Sequence, residues 1–415
     1  MRTIAFVICF GFFFQAAAQR ECATQAYTTG TKTPGMAAAE NFIKQQTRGI
    51  TPQVMGNSTG STKPFIIRIP VVVHLLYNNA AQNISDAQIK SGIAALNRDF
   101  RKQNSDTASI PQAFKHLAAD VEIEFHLATS DPKGMATTGI VRKATGVPAW
   151  NMDDKIKLSV EGGDDAWDSK SYLNIWLGNT RRLLGYATPP GGEEHLDGLV
   201  INVTAFGTIN TAGPYNLGRT VVHEAGHWLG LHHIWGDEAC GDDEVDDTPK
   251  QGGYTTGCPT GFRSSCSNGT AGDMFMNYMD FTNDACLNMF TYGQKERMRA
   301  LFNPGGPRNS LLASTGLNAP SSELMPIEKD STGTAPGPEL QLYPNPAGGE
   351  IMVRVAGLVN GTNSLQILNA NGILVQQVKI TAATQKINLA ALQPGVYFVQ
   401  TMVQNKRIYQ KLVKL

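Results

Sequence analysis

The chain has 415 residues, more than one ordinary domain holds, so two folded units plus processing segments are expected. Its 35 basic and 35 acidic residues cancel, which leaves no overall field to draw in nucleic acid or an anionic membrane surface. A hydrophobic content of 41% supports a packed core, yet no stretch approaches the ~20 continuous apolar residues of a membrane span.

Residues 1–18 carry Arg2, an apolar run over 4–14 and then Ala16, Ala17 and Ala18, the pattern of a secretory signal peptide cleaved near Ala18. Cys9 leaves with it. Five cysteines remain in an exported chain, Cys22, Cys240, Cys258, Cys266 and Cys286, and an odd count leaves one thiol over. Residues 19–60 are rich in Thr, Gln, Ala and Gly without sustained helical or strand period, as expected of a pro-segment, with Arg48 and Lys63 as candidate cleavage points.

Residues 61–303 read as the larger folded domain. The run over 65–76, dense in Ile and Val, predicts the first core strand. Ser85 opens a helix with a capping-box pattern to Gln88, and Ile89, Ile93, Leu96 and Phe100 repeat along one face. Residues 121–127 alternate apolar with Glu122, Glu124 and His126, the signature of a half-buried strand, and 173–177 supply another. His74 and His126 read as structural rather than catalytic.

The chemistry concentrates in residues 220–235, T-V-V-H-E-A-G-H-W-L-G-L-H-H-I-W. His223 and His227 are four apart, so on a helix their imidazoles project from one face and can share a metal ion. Glu224 lies beside that face, placed to deprotonate a water that the metal has made acidic. Gly230 follows three residues after His227, where a left-handed glycine ends a helix and brings His233 round as a third ligand. Three neutral imidazoles suit Zn²⁺, and an open fourth position marks a catalytic rather than a structural site. His232, the neighbour of His233, reads as a solvated or outer imidazole because the spacing selects His233.

Residues 237–247 then hold seven acids and no base. Such a run is either a solvated face or a site for a hard cation such as Ca²⁺, with Asp243, Asp246, Asp247 and Thr248 as candidate ligands. Cys240, Cys258, Cys266 and Cys286 cluster around it; they are expected to form two bridges, and spacing alone leaves three pairings open. Thr291 caps a last helix with Gln294, turning Met298, Leu301 and Phe302 inward. Residues 304–339, rich in proline with Gly, Ser and Thr, read as a linker. From 340 to 415 short β stretches separated by Gly, Asn and Pro turns predict a small β-sandwich, with seven bases against the single acid Glu350.

The H-E-x-x-H-x-x-G-x-x-H spacing resembles the metzincin clan of zinc endopeptidases, and its neighbours resemble the pappalysin family. Those neighbours are I-P-V-V-V-H at 69–74, D-G-L-V-I-N at 197–202, D-D-T-P at 246–249 and N-Y-M-D-F at 277–281. The resemblance implies an α+β fold: a metzincin-like domain with a mixed twisted sheet, an active-site helix and an irregular C-terminal subdomain, followed by the all-β sandwich. It implies that residues 199–203 form an edge strand lining the cleft, that Cys240 pairs with Cys266 and Cys258 with Cys286, and that a methionine floors the zinc site. The N-Y-M-D-Y form selects Met279 for that floor over Met276. Phe281 stands where a tyrosine is expected to help hold the oxyanion, so either Tyr278 substitutes or the enzyme works with one donor fewer. Cysteine switches of related metzincins imply that Cys22 takes the open zinc position in a latent precursor.

L-Y-P-N-P at 342–346, L-Q-P-G-V-Y at 392–397 and the terminal K-L-V-K-L resemble the C-terminal sorting domain of bacterial type IX secretion. A carbohydrate-binding or adhesion module is the alternative for this tail. The expected whole is a secreted zinc endopeptidase whose partners are protein or peptide substrates and the type IX machinery. The alternative is a zinc-containing binding or adhesion protein with the C-terminal module as its functional part.

Overall fold

Strand β1 (Ile67–Tyr77) is apolar along its length because it is covered on both sides: Ile69, Val71, Val73 and Leu75 are fully buried, as is Val72 on the other face. Burying each such aliphatic contributes about 1.5–3 kcal/mol. The strand pairs in parallel with β2 (Ile123–Leu127), β3 (Ile140–Ala144) and β4 (Leu173–Gly178). Beyond β4 lie β6 (Leu199–Asn202), parallel, and the three-residue β5 (Gly185–Ala187), antiparallel, giving the path β2-β1-β4-β6-β5 with β3 beside β1. The structure, a computed structural model, describes residues 22–48, 65–318, 339–356, 363–369, 373–382, 384–403 and 406–415. The expected signal peptide and the Lys63 cleavage point fall outside these residues.

Two helices of the first unit start where their sequence caps place them. Ser85 accepts a hydrogen bond from the Gln88 N–H and starts α3 (Asp86–Phe100), which buries Ile89, Ile93, Leu96 and Phe100. Helix α4 (Arg219–Trp228) is buried at every residue. Helix α5 (Tyr292–Ala300) begins with a complete capping box between Thr291 and Gln294, worth about 1 kcal/mol at such a position. His74 is structural, as expected: its ring lies between Asp164 at 2.8 Å and Asn174 at 3.0 Å and stacks on Trp176.

Three expectations are corrected. The pro-segment is not without regular structure, since residues 24–30 and 34–47 form α1 (Thr24–Gly30) and α2 (Pro34–Thr47). Thr33 caps α2 by accepting from Met36 N–H, and Ala39 and Ile43 bury one face against the catalytic domain. Strand β6 is internal; β5 is the edge. Residues 304–318 are folded, not linker, for the Arg308 guanidinium is buried against both Asp197 oxygens and lies 4.0 Å over the Trp228 ring. Compact units span Met1–Ala319 and Pro320–Leu415.

The second unit is the predicted all-β sandwich. One sheet has the order β10 (Leu374–Ile380), β9 (Asn363–Asn369), β12 (Gly395–Val403), β13 (Lys406–Lys414), and the other β11 (Thr384–Asn388), β8 (Glu350–Ala356), β7 (Glu339–Tyr343). Ile351, Val353, Leu365, Ile367, Val399 and Leu412 fill the space between them.

Candidate metal centre

Helix α4 carries His223, Glu224 and His227, and its end is set by Gly230, whose φ of +83° is the left-handed conformation that glycine adopts without strain. There the Leu231 N–H turns back to the Gly226 carbonyl at 2.9 Å, and the chain delivers His233 to the same point as the helix histidines. The Nε2 atoms of His223 and His233 each lie 3.1 Å from Nε2 of His227. All three rings are buried.

Each ring is fixed from behind. His223 Nδ1 meets the Tyr278 carbonyl at 2.6 Å, His227 Nδ1 the Leu231 carbonyl at 2.8 Å, and His233 Nδ1 the Asp237 carboxylate. Carbonyl and carboxylate oxygens only accept, so each Nδ1 carries the proton and each Nε2 presents a lone pair to the centre. Three converging lone pairs repel unless a cation lies among them. Burial, with His233 adding to it, holds His227 far below its ordinary pKa range, so it stays a neutral ligand. On a tetrahedral ion with bonds of ~2.0–2.1 Å the nitrogens would lie about 3.3 Å apart, close to what is found. The donor set therefore fits Zn²⁺.

Met279 packs against helix α4: a Cβ on Gly226 would come within 2.6 Å of its sulfur, so glycine at 226 allows this close approach. Met276 is also buried but shows no such approach. Trp235 stacks on His233 with ring centres 4.3 Å apart, and Phe281 packs edge-on to His233 at 4.9 Å.

Among the described residues, the ligating side chains close enough to share one ion are Cys22, His223, His227 and His233, whose donor atoms all lie within 4.8 Å of one another. Cys22 reaches this point because residues 22 and 23 run along the sheet edge. It pairs with Gly185 of β5, and the Ala23 N–H donates to the Gly185 carbonyl at 3.1 Å. Thr24 then donates its hydroxyl to Glu224 Oε2 at 2.9 Å and accepts from the Ala187 N–H at 2.9 Å.

Residues 159–303 match the peptidase family described as pregnancy-associated plasma protein-A, and residues 341–415 match the secretion system C-terminal sorting domain. A mutant of promirolysin from Tannerella forsythia has a similar structure: 44% identity, TM-score 0.63, covering 71% of this chain and 97% of that one. Mature mirolysin from the same organism, in complex with a cleaved peptide, is 49% identical with a TM-score of 0.59 over 60% of this chain and 97% of that one. An extracellular metalloprotease of Verticillium alfalfae is 31% identical over 54% of this chain and 89% of its own length. The chain belongs to the pregnancy-associated plasma protein-A peptidase family. It is a secreted metalloendopeptidase with a type IX sorting tail, and no described helix is long and apolar enough to cross a membrane.

Other residues of this family member differ from expectation. The Tyr278 hydroxyl cannot replace the one missing at Phe281: it is fully buried, under the Arg219 guanidinium and beside Phe290, and Tyr278 meets the metal site only through its carbonyl. The acidic loop does not gather its carboxylates. Asp243 turns inward to accept from Thr248 at 2.7 Å, Asp247 accepts from Thr291 and the Gly293 N–H at the start of α5, and Asp246 faces solvent. Burial pushes the Asp243 carboxyl up to about 8. Among the described residues, three or more of these carboxylates do not lie close enough to share one ion. The irregular stretch that carries the loop is held by Cys240–Cys266 and Cys258–Cys286, with loops of a size worth roughly 3–4 kcal/mol each. His232 lies outside the triad, half exposed, 3.5 Å from Glu40 of the pro-segment.

Glu40 also pairs with the buried Arg297, whose Nε donates to the Gly230 carbonyl at 2.7 Å. Burial alone would raise the Glu40 pKa, but the His232 hydrogen bond and the Arg297 charge outweigh it and lower it from 4.5 to about 2. A depressed carboxyl stabilises the docked state fully above pH 4.5 and loses that contribution as pH falls toward 2. Glu40→Gln is expected to destabilise the precursor at neutral pH by about 1.5–3 kcal/mol, the range for hydrogen bonds to charged groups. Thermal melts of both precursors should converge between pH 4.5 and 2; a constant gap would contradict the pairing.

Proposed function

We propose that this metalloendopeptidase uses one zinc ion held by Nε2 of His223, His227 and His233, with Glu224 as general base, and that its precursor is kept latent by the pro-segment. The observation that carries this reading is the convergence of three Nε2 lone pairs, each fixed by a protonated Nδ1 on the far side. Bound zinc supplies Lewis acidity, lowering the pKa of a water toward ~7 and polarising the scissile carbonyl.

Glu224 does the proton work. Its carboxylate is not placed among the ligand nitrogens; it is buried next to them, where its Oε2 already accepts a hydrogen bond from the pro-segment. With that segment gone, the same oxygen takes the water proton and returns it to the leaving amine. The β5 edge holds substrate by adding an extended peptide as a further strand, the use to which Ala23 already puts it. Met279 and Trp235 keep the histidines from moving.

In the precursor two pro-segment groups act at once. Cys22 would hold the ion beside the three histidines in place of a water, while Thr24 occupies Glu224 Oε2. Cutting after α2, at or beyond Arg48, frees both.

Metal dependence tests the reading. Incubating the processed enzyme with casein should give digestion that a zinc chelator abolishes and added Zn²⁺ restores. Digestion that persists after the metal is stripped would contradict it, and so would a chain that binds zinc but cleaves nothing.

A further inference from the structure

Tyr27 of the pro-segment lies in a pocket built wholly by the catalytic domain, and the pocket is shaped for a phenol. The ring is 3% exposed. It packs 5.0 Å from the Tyr186 ring, and its hydroxyl donates to Asp154 Oδ2 at 2.8 Å. Lys157 lies 5.0 Å over the same ring and pairs with Asp154 at 2.8 Å. That lysine is itself fully buried, held by Thr188 Oγ1 at 2.9 Å and the Leu196 carbonyl at 2.8 Å. Asp154 and Lys157 thus keep each other in place when the pro-segment is absent.

We propose that this pocket is a subsite of the processed enzyme that takes a tyrosine side chain of peptide substrates. The inference rests on the reading above that the pro-segment leaves the cleft. Its chemistry is selective in three ways. An aromatic face fits against Tyr186 and under the Lys157 ammonium. A lysine or arginine side chain would meet Lys157 as a like charge. A phenylalanine would fill the space yet leave the Asp154 oxygen without its donor, the kind of omission that hydrogen-bonding sites reject most strongly.

The pro-segment shows that one peptide reaches both places. Cys22 lies at the metal histidines, Ala23 is bonded along the β5 edge, and Tyr27 is five positions further on. Because the segment coils into α1 from Thr24, an extended substrate on the same edge covers the gap in five residues or fewer, at about 3.3 Å per residue.

The test uses processed enzyme made from the full chain and quenched fluorogenic peptides with Tyr, Phe or Ala at each of the five positions on either side of one scissile bond. One position should show kcat/KM about tenfold higher for Tyr than for Ala and several-fold higher than for Phe. In the double variant Asp154→Leu with Lys157→Met, which exchanges the buried pair for apolar groups of similar volume, the Tyr-to-Phe ratio should fall to one or below. A second measurement needs neither catalysis nor that variant. Calorimetric binding of a synthetic peptide of residues 22–31 carrying Cys22→Ser should weaken about tenfold when Tyr27→Phe is added. Equal cleavage of all three peptides at every position, or equal binding of the two synthetic peptides, would overturn the subsite. Failure of the peptidase reading would look different: no peptide would be cut, while the binding comparison would still report on the pocket.

Discussion

Glu224→Ala is expected to lower kcat for peptide cleavage by about 10²–10⁴-fold while the protein keeps its zinc, because the group lost moves protons and is not a ligand. The geometry makes this separation. The three Nε2 atoms that face one point belong to histidines, and the Glu224 carboxylate lies beside them with Thr24 on its Oε2 at 2.9 Å. Initial rates on a fluorogenic peptide, together with metal content of the same preparation, check both halves. Undiminished cleavage by the variant would remove Glu224 from the base role, and loss of zinc with activity would make it a ligand instead.

The second large effect is expected in the precursor. Cys22→Ala should raise activity before processing by roughly tenfold or more, since each 1.4 kcal/mol removed from the closed state is a factor of ten. Burial and the nearby Glu224 carboxylate push the Cys22 thiol well up, so a thiolate forms here only against a cation. Removing the sulfur opens the fourth ligand position but leaves Thr24 on Glu224, Glu40 on Arg297 and Tyr27 in its pocket. The variant should therefore be leaky rather than fully active, and its self-processing should speed up. Following precursor disappearance on gels alongside early peptide cleavage reads both; equal latency in variant and parent would count against the switch.

The metal site was legible because its information is local. A spacing of four on a helix and a glycine at the turn are enough to bring His223, His227 and His233 together, and Gly226 explains why Met279 can lie beneath them. The fold of the first unit was legible where strands were long and apolar, as in β1, or capped, as at Ser85 and Thr291. Sequence reading failed where a role depends on distant partners. Strand β5 is three residues long and begins with glycine, so it has no period to detect, and the edge falls there instead of at residues 199–203. Thr33-Pro34 is a helix start that was there to be read, but the polar composition of the pro-segment outweighed it. Tyr278 is the candidate for the hydroxyl missing at Phe281, yet its ring packs under Arg219 and against Phe290, contacts with residues far away in sequence. In the acidic run after α4, Asp243 turns inward to Thr248 and Asp247 to the start of α5, partners that the run's composition does not reveal.

One zinc ion among His223, His227 and His233, with Cys22 as fourth ligand in the precursor, is the arrangement expected of this site. Diffraction from precursor crystals collected at the zinc absorption edge measures this directly. The account predicts one strong anomalous peak, ~2.0–2.1 Å from each of the three Nε2 atoms and ~2.3 Å from Cys22 Sγ. A peak on His232, or full peptidase activity in crystals and solutions without any peak, would contradict it.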